Sequence, residues 1–135
     1  MTLFEEYIQA ARGLIFVATA KDDQPSLRIM GFAADPNRPN VWYLVSQPDT
    51  GKIADLDQNA KVAIMTPLNE NGARIESNQV TMVRSKKTWQ DVQSYFTNPV
   101  FLKNHPHPEE EVLLELTFKS ARLAAYAGTE VVTFA

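Results

Sequence analysis

Between Leu14 and Ser46 the chain consists of three short apolar runs, LIFVATA, SLRIMGFAA and VWYLVS, separated by the turn-forming segments KDDQP and DPNRPN. Each run is rich in β-branched and aromatic residues, which favour extended backbone. The separators carry Asp, Asn and Pro, the residues that tolerate or preset turn geometry. Short strands with turns at regular spacing predict a meander, and a meander favours an antiparallel sheet or barrel.

The flanking sequence adds helices and more strands. Met1 to Arg12 has Phe4, Tyr7, Ile8 and Ala11 on one helical face, with Thr2 and Glu5 spaced as a capping box and Gly13 as a stop. A second helix follows Thr50, with Ile53 and Leu56 as its buried pair and Asn59 at its end. AKVAIMTP predicts a fourth strand, Asn71-Gly72 a hairpin, and Ala73 to Ser85 a long fifth strand. KKTWQDVQSYFTN reads as a third helix limited by Pro99, and FLKNHPHPEEE as a proline-rich loop. VLLELTFKSARLAAYAG closes the sheet as one long strand or two short ones. The expected fold is mainly β: a six-stranded antiparallel split β-barrel with short helices, a single domain over residues 1–135.

Composition narrows the function. A formal net charge of -3 offers no broad positive field for nucleic acid. With no cysteine, the chain has no disulfide, thiolate nucleophile or sulfur-ligated metal. No run reaches the ~20 apolar residues of a membrane span, and the N-terminus lacks the features of a signal peptide, so a cytoplasmic protein is expected.

Two features carry chemistry. In the segment Ser46 to Lys52 a turn opens a helix. Helix starts present unpaired N–H groups and the positive end of the dipole. The hydroxyls of Ser46 and Thr50, the close approach allowed by Gly51 and the charge of Lys52 would complete a site for a phosphate monoester. Locally, Thr50 as a plain N-cap and Lys52 as a solvated side chain account for the same residues. The second feature is Arg28. Strand alternation puts Arg28, Met30 and Phe32 on one face and Leu27, Ile29 and Gly31 on the other. An arginine among apolar neighbours requires an anion when buried, and a phosphate, an anionic ring or a carboxylate such as Asp35 would serve. The glutamates Glu109 to Glu111 read as a solvated loop, and His105 and His107 as loop residues without a third metal ligand. Trp42 and Tyr43 alternate on their strand, which predicts one in the core and one at an interface.

In this order, FVATAKDDQPSLRIMGF, VWYLVSQPDTGKIADLDQNAKVAIM and ARIESNQVTMV resemble the pyridoxamine 5'-phosphate oxidase-like family of FMN-binding split barrels, over about Leu14 to Trp89. The resemblance implies a homodimer with FMN in clefts between subunits. It implies Arg28 at the flavin phosphate or ribityl, Ile29 and Met30 against the isoalloxazine, and Val45 and Ser46 lining the cofactor. Thr50 and Lys52 would hold the phosphate, and Arg74 would reach the flavin of the partner chain. Gly51 stands where members often have arginine, and Ser77 where many have glycine. The Trp- and Arg-containing C-terminal segment of the true oxidase is missing, so a vitamin B6 oxidase is not expected. The implied activity is flavin redox chemistry on a small-molecule substrate or electron donor. The alternatives are a flavin, deazaflavin or haem binder without turnover, and a dimeric barrel without cofactor.

Overall fold

The computed structural model of the chain describes residues 1–48 and 50–135. Nine strands form one antiparallel sheet: β1 Leu14–Lys21, β2 Gln24–Gly31, β3 Ala33–Asp35, β4 Arg38–Ser46, β5 Lys61–Met65, β6 Arg74–Arg84, β7 Val112–Phe118, β8 Ser120–Ala125 and β9 Gly128–Thr133. Hydrogen-bonded neighbours run β2-β1-β5-β6-β7-β4-β3. The first and last members of that series are two parts of one run of chain, parted only at Phe32. The sheet therefore curls until it meets itself, with the split beside this bent run.

The expected strand count needs a small correction. With β2 and β3 taken as one bent strand, the ring of β1, β2–β3, β4, β5, β6 and β7 has the expected six members. Beyond it, β8 continues the pairing of β7 along β6 and β9 pairs with β8. β6 is long enough for both because Val80 pairs with Phe118 and Arg74 with Ala124.

Turn chemistry sets the hairpins. Asp22 and Asp23 between β1 and β2 both adopt positive φ, at 52° and 63°. Two such residues make the tight turn whose twist matches paired strands, and Asp tolerates that conformation better than most residues. Between β5 and β6 the positive φ falls on Gly72, while Asn69 Oδ1 accepts bonds from the backbone N–H groups of Asn71 and Ala73.

The first helix, α1 Leu3–Ala10, carries the expected capping box between Thr2 and Glu5. It buries Phe4, whose ring lies against Trp42, Phe118 and Phe134. The helix α2 Gly51–Gln58 buries Ile53 and Leu56 in the same core. Inside the barrel, Trp42 stacks on Phe32 at 4.0 Å between ring centroids and meets Phe118 edge-on at 4.6 Å.

The sheet's outer face holds a second core. Both Trp42 and Tyr43 are fully buried, which corrects the expectation of one at an interface. They do point to opposite faces, but the outer face of β4 is covered by α3 Trp89–Val92 and α4 Pro99–Asn104. Val92, Phe96 and Phe101 pack there with Val41, Tyr43 and Val45. The single helix expected over 86–98 is also corrected. It is a four-residue α3 followed by a 3-10 turn, Gln93–Tyr95. Asn98 then caps α4, and Pro99 starts a helix in what was expected to be open loop. Proline suits a first helical position, where its missing N–H has no intrahelical partner to lose.

Beneath this outer core, Tyr43 Oη donates to Asp35 Oδ2 at 3.0 Å and accepts from Arg38 Nη2 at 3.2 Å. Burial, followed by the bond to Asp35, pushes the Tyr43 hydroxyl up to about 12. Its folded pKa lies above the ordinary value of ~10. Its protonated form thus stabilises the fold below pH ~10, and that stability is lost as pH rises from there towards about 12. Tyr43 is expected to ionise together with unfolding in an ultraviolet titration. Tyr43→Phe should remove that step; a tyrosinate signal from Tyr43 near pH 10 in the folded protein would contradict the assignment.

Candidate cofactor site

A cleft of about 390 Å³ opens where β2, β4 and the start of α2 meet. Its apolar side comes from Leu14, Ile29, Met30, Gly31 and Val45, and its polar side from Ser46, Gln47, Thr50 and Lys52. The end of α4 adds Asn104 and the adjoining His105, and Glu111 enters from just before β7. Register explains the last contribution. Ser46 pairs with Val112, which brings the residue before β7 beside the residue after β4.

Six of the eight residues expected to hold a cofactor line this cleft: Ile29, Met30, Val45, Ser46, Thr50 and Lys52. Met30, Val45 and Ser46 are buried, whereas Ile29 is 58% exposed on the outward face of β2. Strand alternation is as expected, since Arg28 and Met30 turn inward while Leu27 and Ile29 turn out.

Arg28 stands just behind the cleft. Its Nη1 donates to Thr19 Oγ1 at 2.8 Å, and the Thr19 hydroxyl donates in turn to Asp55 Oδ2 at 3.4 Å. Asp35 does not pair with Arg28; it is taken up by Tyr43, Arg38 and the backbone of Asn37. Arg74 lies on β6 outside this chain's cleft, where its Nε donates to Glu76 Oε2 at 3.0 Å.

Thr50 occupies the N-cap position of α2, but its hydroxyl does not cap the helix. It donates instead to the carbonyl of Gln47 at 3.2 Å and lies 3.2 Å from Ser46 Oγ. Among the described residues the first amides of α2 therefore lack the side-chain acceptor an N-cap usually supplies. A Cβ at Gly51 would meet nothing within 4 Å, so the approach to that backbone is open.

Charge in the cleft is unbalanced. Burial holds the Lys52 ammonium below the ordinary lysine range, the positive charge of Arg28 adds to the depression, and Glu111 works against it. Among the described residues neither Lys52 nor Arg28 forms an ion pair. Two cations that repel each other and the opening amides of α2, uncapped among the described residues, form a donor set suited to an anion with several oxygens, with the hydroxyls of Ser46 and Thr50, bonded within the turn, beside it. The apolar wall of Ile29, Met30 and Val45 beside it suits a flat ring system. By the chemistry of its donors and wall, the cleft fits a flavin mononucleotide.

Sequence reasoning missed six of the lining residues, Leu14, Gly31, Gln47, Asn104, His105 and Glu111, of which the last two carry ionisable groups. Glu111, expected in a solvated loop, has a side chain only 4% exposed. Its Oε2 lies 2.8 Å from Nδ1 of His105, and its Oε1 has no hydrogen-bond partner among the described residues. The His105 ring stacks on Phe101 at 4.5 Å. The one available signal was that Glu111 directly precedes an apolar run, and strand entries are often buried. By contrast, His107 lies 3.7 Å from Glu109, with both side chains largely in solvent.

A curled antiparallel barrel split beside the bent β2–β3 run defines the class of small split barrels. The sequence profile described as pyridoxamine 5'-phosphate oxidase-like matches residues 8–110, and the chain belongs to that family. No curated protein matches the sequence. Several solved structures share the fold. A NimC/NimA family protein from Clostridium acetobutylicum is 20% identical, with TM-score 0.68, covering 97% of this chain and 94% of that one. A pyridoxamine 5'-phosphate oxidase-related, FMN-binding protein from Nostoc punctiforme is 13% identical, with TM-score 0.66 and coverage of 100% and 98%. A haem-binding protein from Mycobacterium smegmatis is 13% identical, with TM-score 0.75; the match covers 96% of this chain but only 56% of that longer one. Among the described residues no helix is long and apolar enough to cross a membrane.

Proposed function

We propose that this protein is a cytoplasmic, FMN-binding homodimer that carries out redox chemistry on a small-molecule substrate or electron donor. The observation that carries the reading is the pair of repelling cations, Lys52 and Arg28, beside an apolar wall and a helix start that no described side chain caps. When bound, FMN supplies hydride or electron transfer. The chain's own contributions are distinct. Lys52, Ser46, Thr50 and the first amides of α2 hold the phosphate, with Arg28 adding positive charge from behind. Ile29, Met30 and Val45 give the ring a dry face. Arg74, paired with Glu76 in its own chain, would turn to the flavin of the other subunit.

A second observation supports the dimer. The outward face of β2, β1 and β5 is an apolar sheet surface. Register sets Ile29 beside Phe16 and Phe16 beside Met65; the next row is Leu27, Ala18 and Ala63. Leu27 is 72% exposed and Met65 is 43% exposed. Ile29 is both on this face and on the rim of the cleft, so a second copy seated here would cover the cleft's open side.

The purified protein is expected to be yellow with a flavin spectrum, and to run as a dimer. Leu27→Glu places a charge in the apolar row without touching the cleft. It should raise the dimer dissociation constant at least roughly tenfold, about 1.4 kcal/mol, read by sedimentation. An unchanged dimer would place the interface elsewhere. His105 in the cleft favours one further reading, a haem binder without turnover, which a Soret band in place of the flavin spectrum would reveal.

A further inference from the structure

Glu111 poses a problem of sign. The proposed phosphate pocket already contains a carboxylate, and that carboxylate is enclosed. It stands beside Ser46 through the β4–β7 register, lines the same cleft as Lys52, and has one oxygen against His105 and the other without a partner. No ion pair joins it to Lys52 among the described residues. An ionised Glu111 would repel a phosphate, and a buried oxygen without a partner is costly to keep. A proton on Glu111 resolves both difficulties, and a proton on His105 resolves the first.

We propose that the His105–Glu111 pair takes up a proton when a phosphate group enters the cleft, and that its protonated form is a positioning element of the anion site. The inference rests on the phosphate-binding reading of the cleft. With the proton on His105, the imidazolium offsets the carboxylate. With the proton on Glu111, its unpartnered oxygen becomes a donor that can face a phosphate oxygen. Either arrangement removes the net negative charge opposite the ligand.

The charged groups around the pair are few. Lys52 faces it from α2, and Arg28 stands behind Lys52 on β2. Asp55 is turned to Thr19, and the neighbouring His107 and Glu109 face each other near solvent. Phe101 covers one face of the His105 ring. None of these competes for the open Glu111 oxygen.

Linkage gives the direction. Because binding takes up a proton, phosphate affinity falls with rising pH, by up to tenfold per pH unit for one proton. Titration calorimetry of the full chain with FMN, in buffers of different ionisation heat, counts the protons directly. Net uptake is expected for the native protein, and its loss for Glu111→Gln, which keeps an oxygen for His105 but carries no charge. The variant should also bind FMN several-fold more tightly at high pH. Riboflavin, which lacks the phosphate, should show neither effect. Inorganic phosphate, followed through the His105 ring resonances, separates the two claims. Phosphate bound with protonation of His105–Glu111, without FMN binding, would sink the flavin reading and leave the proton linkage standing. FMN bound with no proton uptake, or with the same uptake in Glu111→Gln, would overturn the linkage and leave the flavin reading intact. Binding of neither ligand would overturn both.

Discussion

Lys52→Ala is expected to weaken FMN binding by ~1.5–3 kcal/mol, roughly ten- to a hundred-fold, while leaving the fold intact. The size follows from what the side chain does. It is the only ammonium lining the cleft, and its charge is opposed by burial and by Arg28. A phosphate relieves both effects, so the ion pair it forms is partly enclosed and less screened than a surface pair. The packing of α2 rests on Ile53 and Leu56, which point into the barrel, so the thermal midpoint should scarcely move. Fluorescence titration with FMN measures the loss. An affinity unchanged by the substitution would remove Lys52 from the phosphate site.

Trp42→Ala should produce the largest loss of stability from any single residue, ~3–5 kcal/mol. The indole is fully buried, stacks on Phe32, meets Phe118 edge-on and donates from Nε1 to the carbonyl of Pro39 at 2.8 Å. It joins the bent β2–β3 run to β4 and β7 and carries the Phe4 ring of α1 above it. Truncation leaves a cavity that rings on three sides cannot all collapse into, and these aromatic contacts add to the area they bury. For a chain of this length the thermal midpoint should fall by roughly 10–20 °C. Calorimetry checks it, and Trp42→Phe should recover most of the loss. A drop of only a few degrees for the alanine variant would mean the barrel is not organised around this ring.

Much of the fold was legible because strands with turn residues between them leave few alternatives. The alternation of Arg28 and Met30 against Leu27 and Ile29 follows from the two-residue period of a strand alone. The capping box of α1 needed only three-residue spacing. Where expectation failed, the cause was tertiary. Nothing in VWYLVS reveals that helices cover the outer side of β4, so burial of both Trp42 and Tyr43 could not be read from alternation. Read alone, Pro99 predicts a stop because prolines end helices, but with Asn98 before it the same residue begins one. In the site, the residues around α2 were legible through local chemistry. Glu111 was not, because its burial comes from the pairing of Ser46 with Val112, across some 65 residues of chain that local chemistry cannot bridge.

FMN and riboflavin titrated side by side against the same protein give the most direct test of the account. If Lys52 and the opening amides of α2 grip a phosphate, FMN binds at least roughly tenfold more tightly than riboflavin, and the difference shrinks in Lys52→Ala. Equal affinities for the two, or no binding of either, would contradict it.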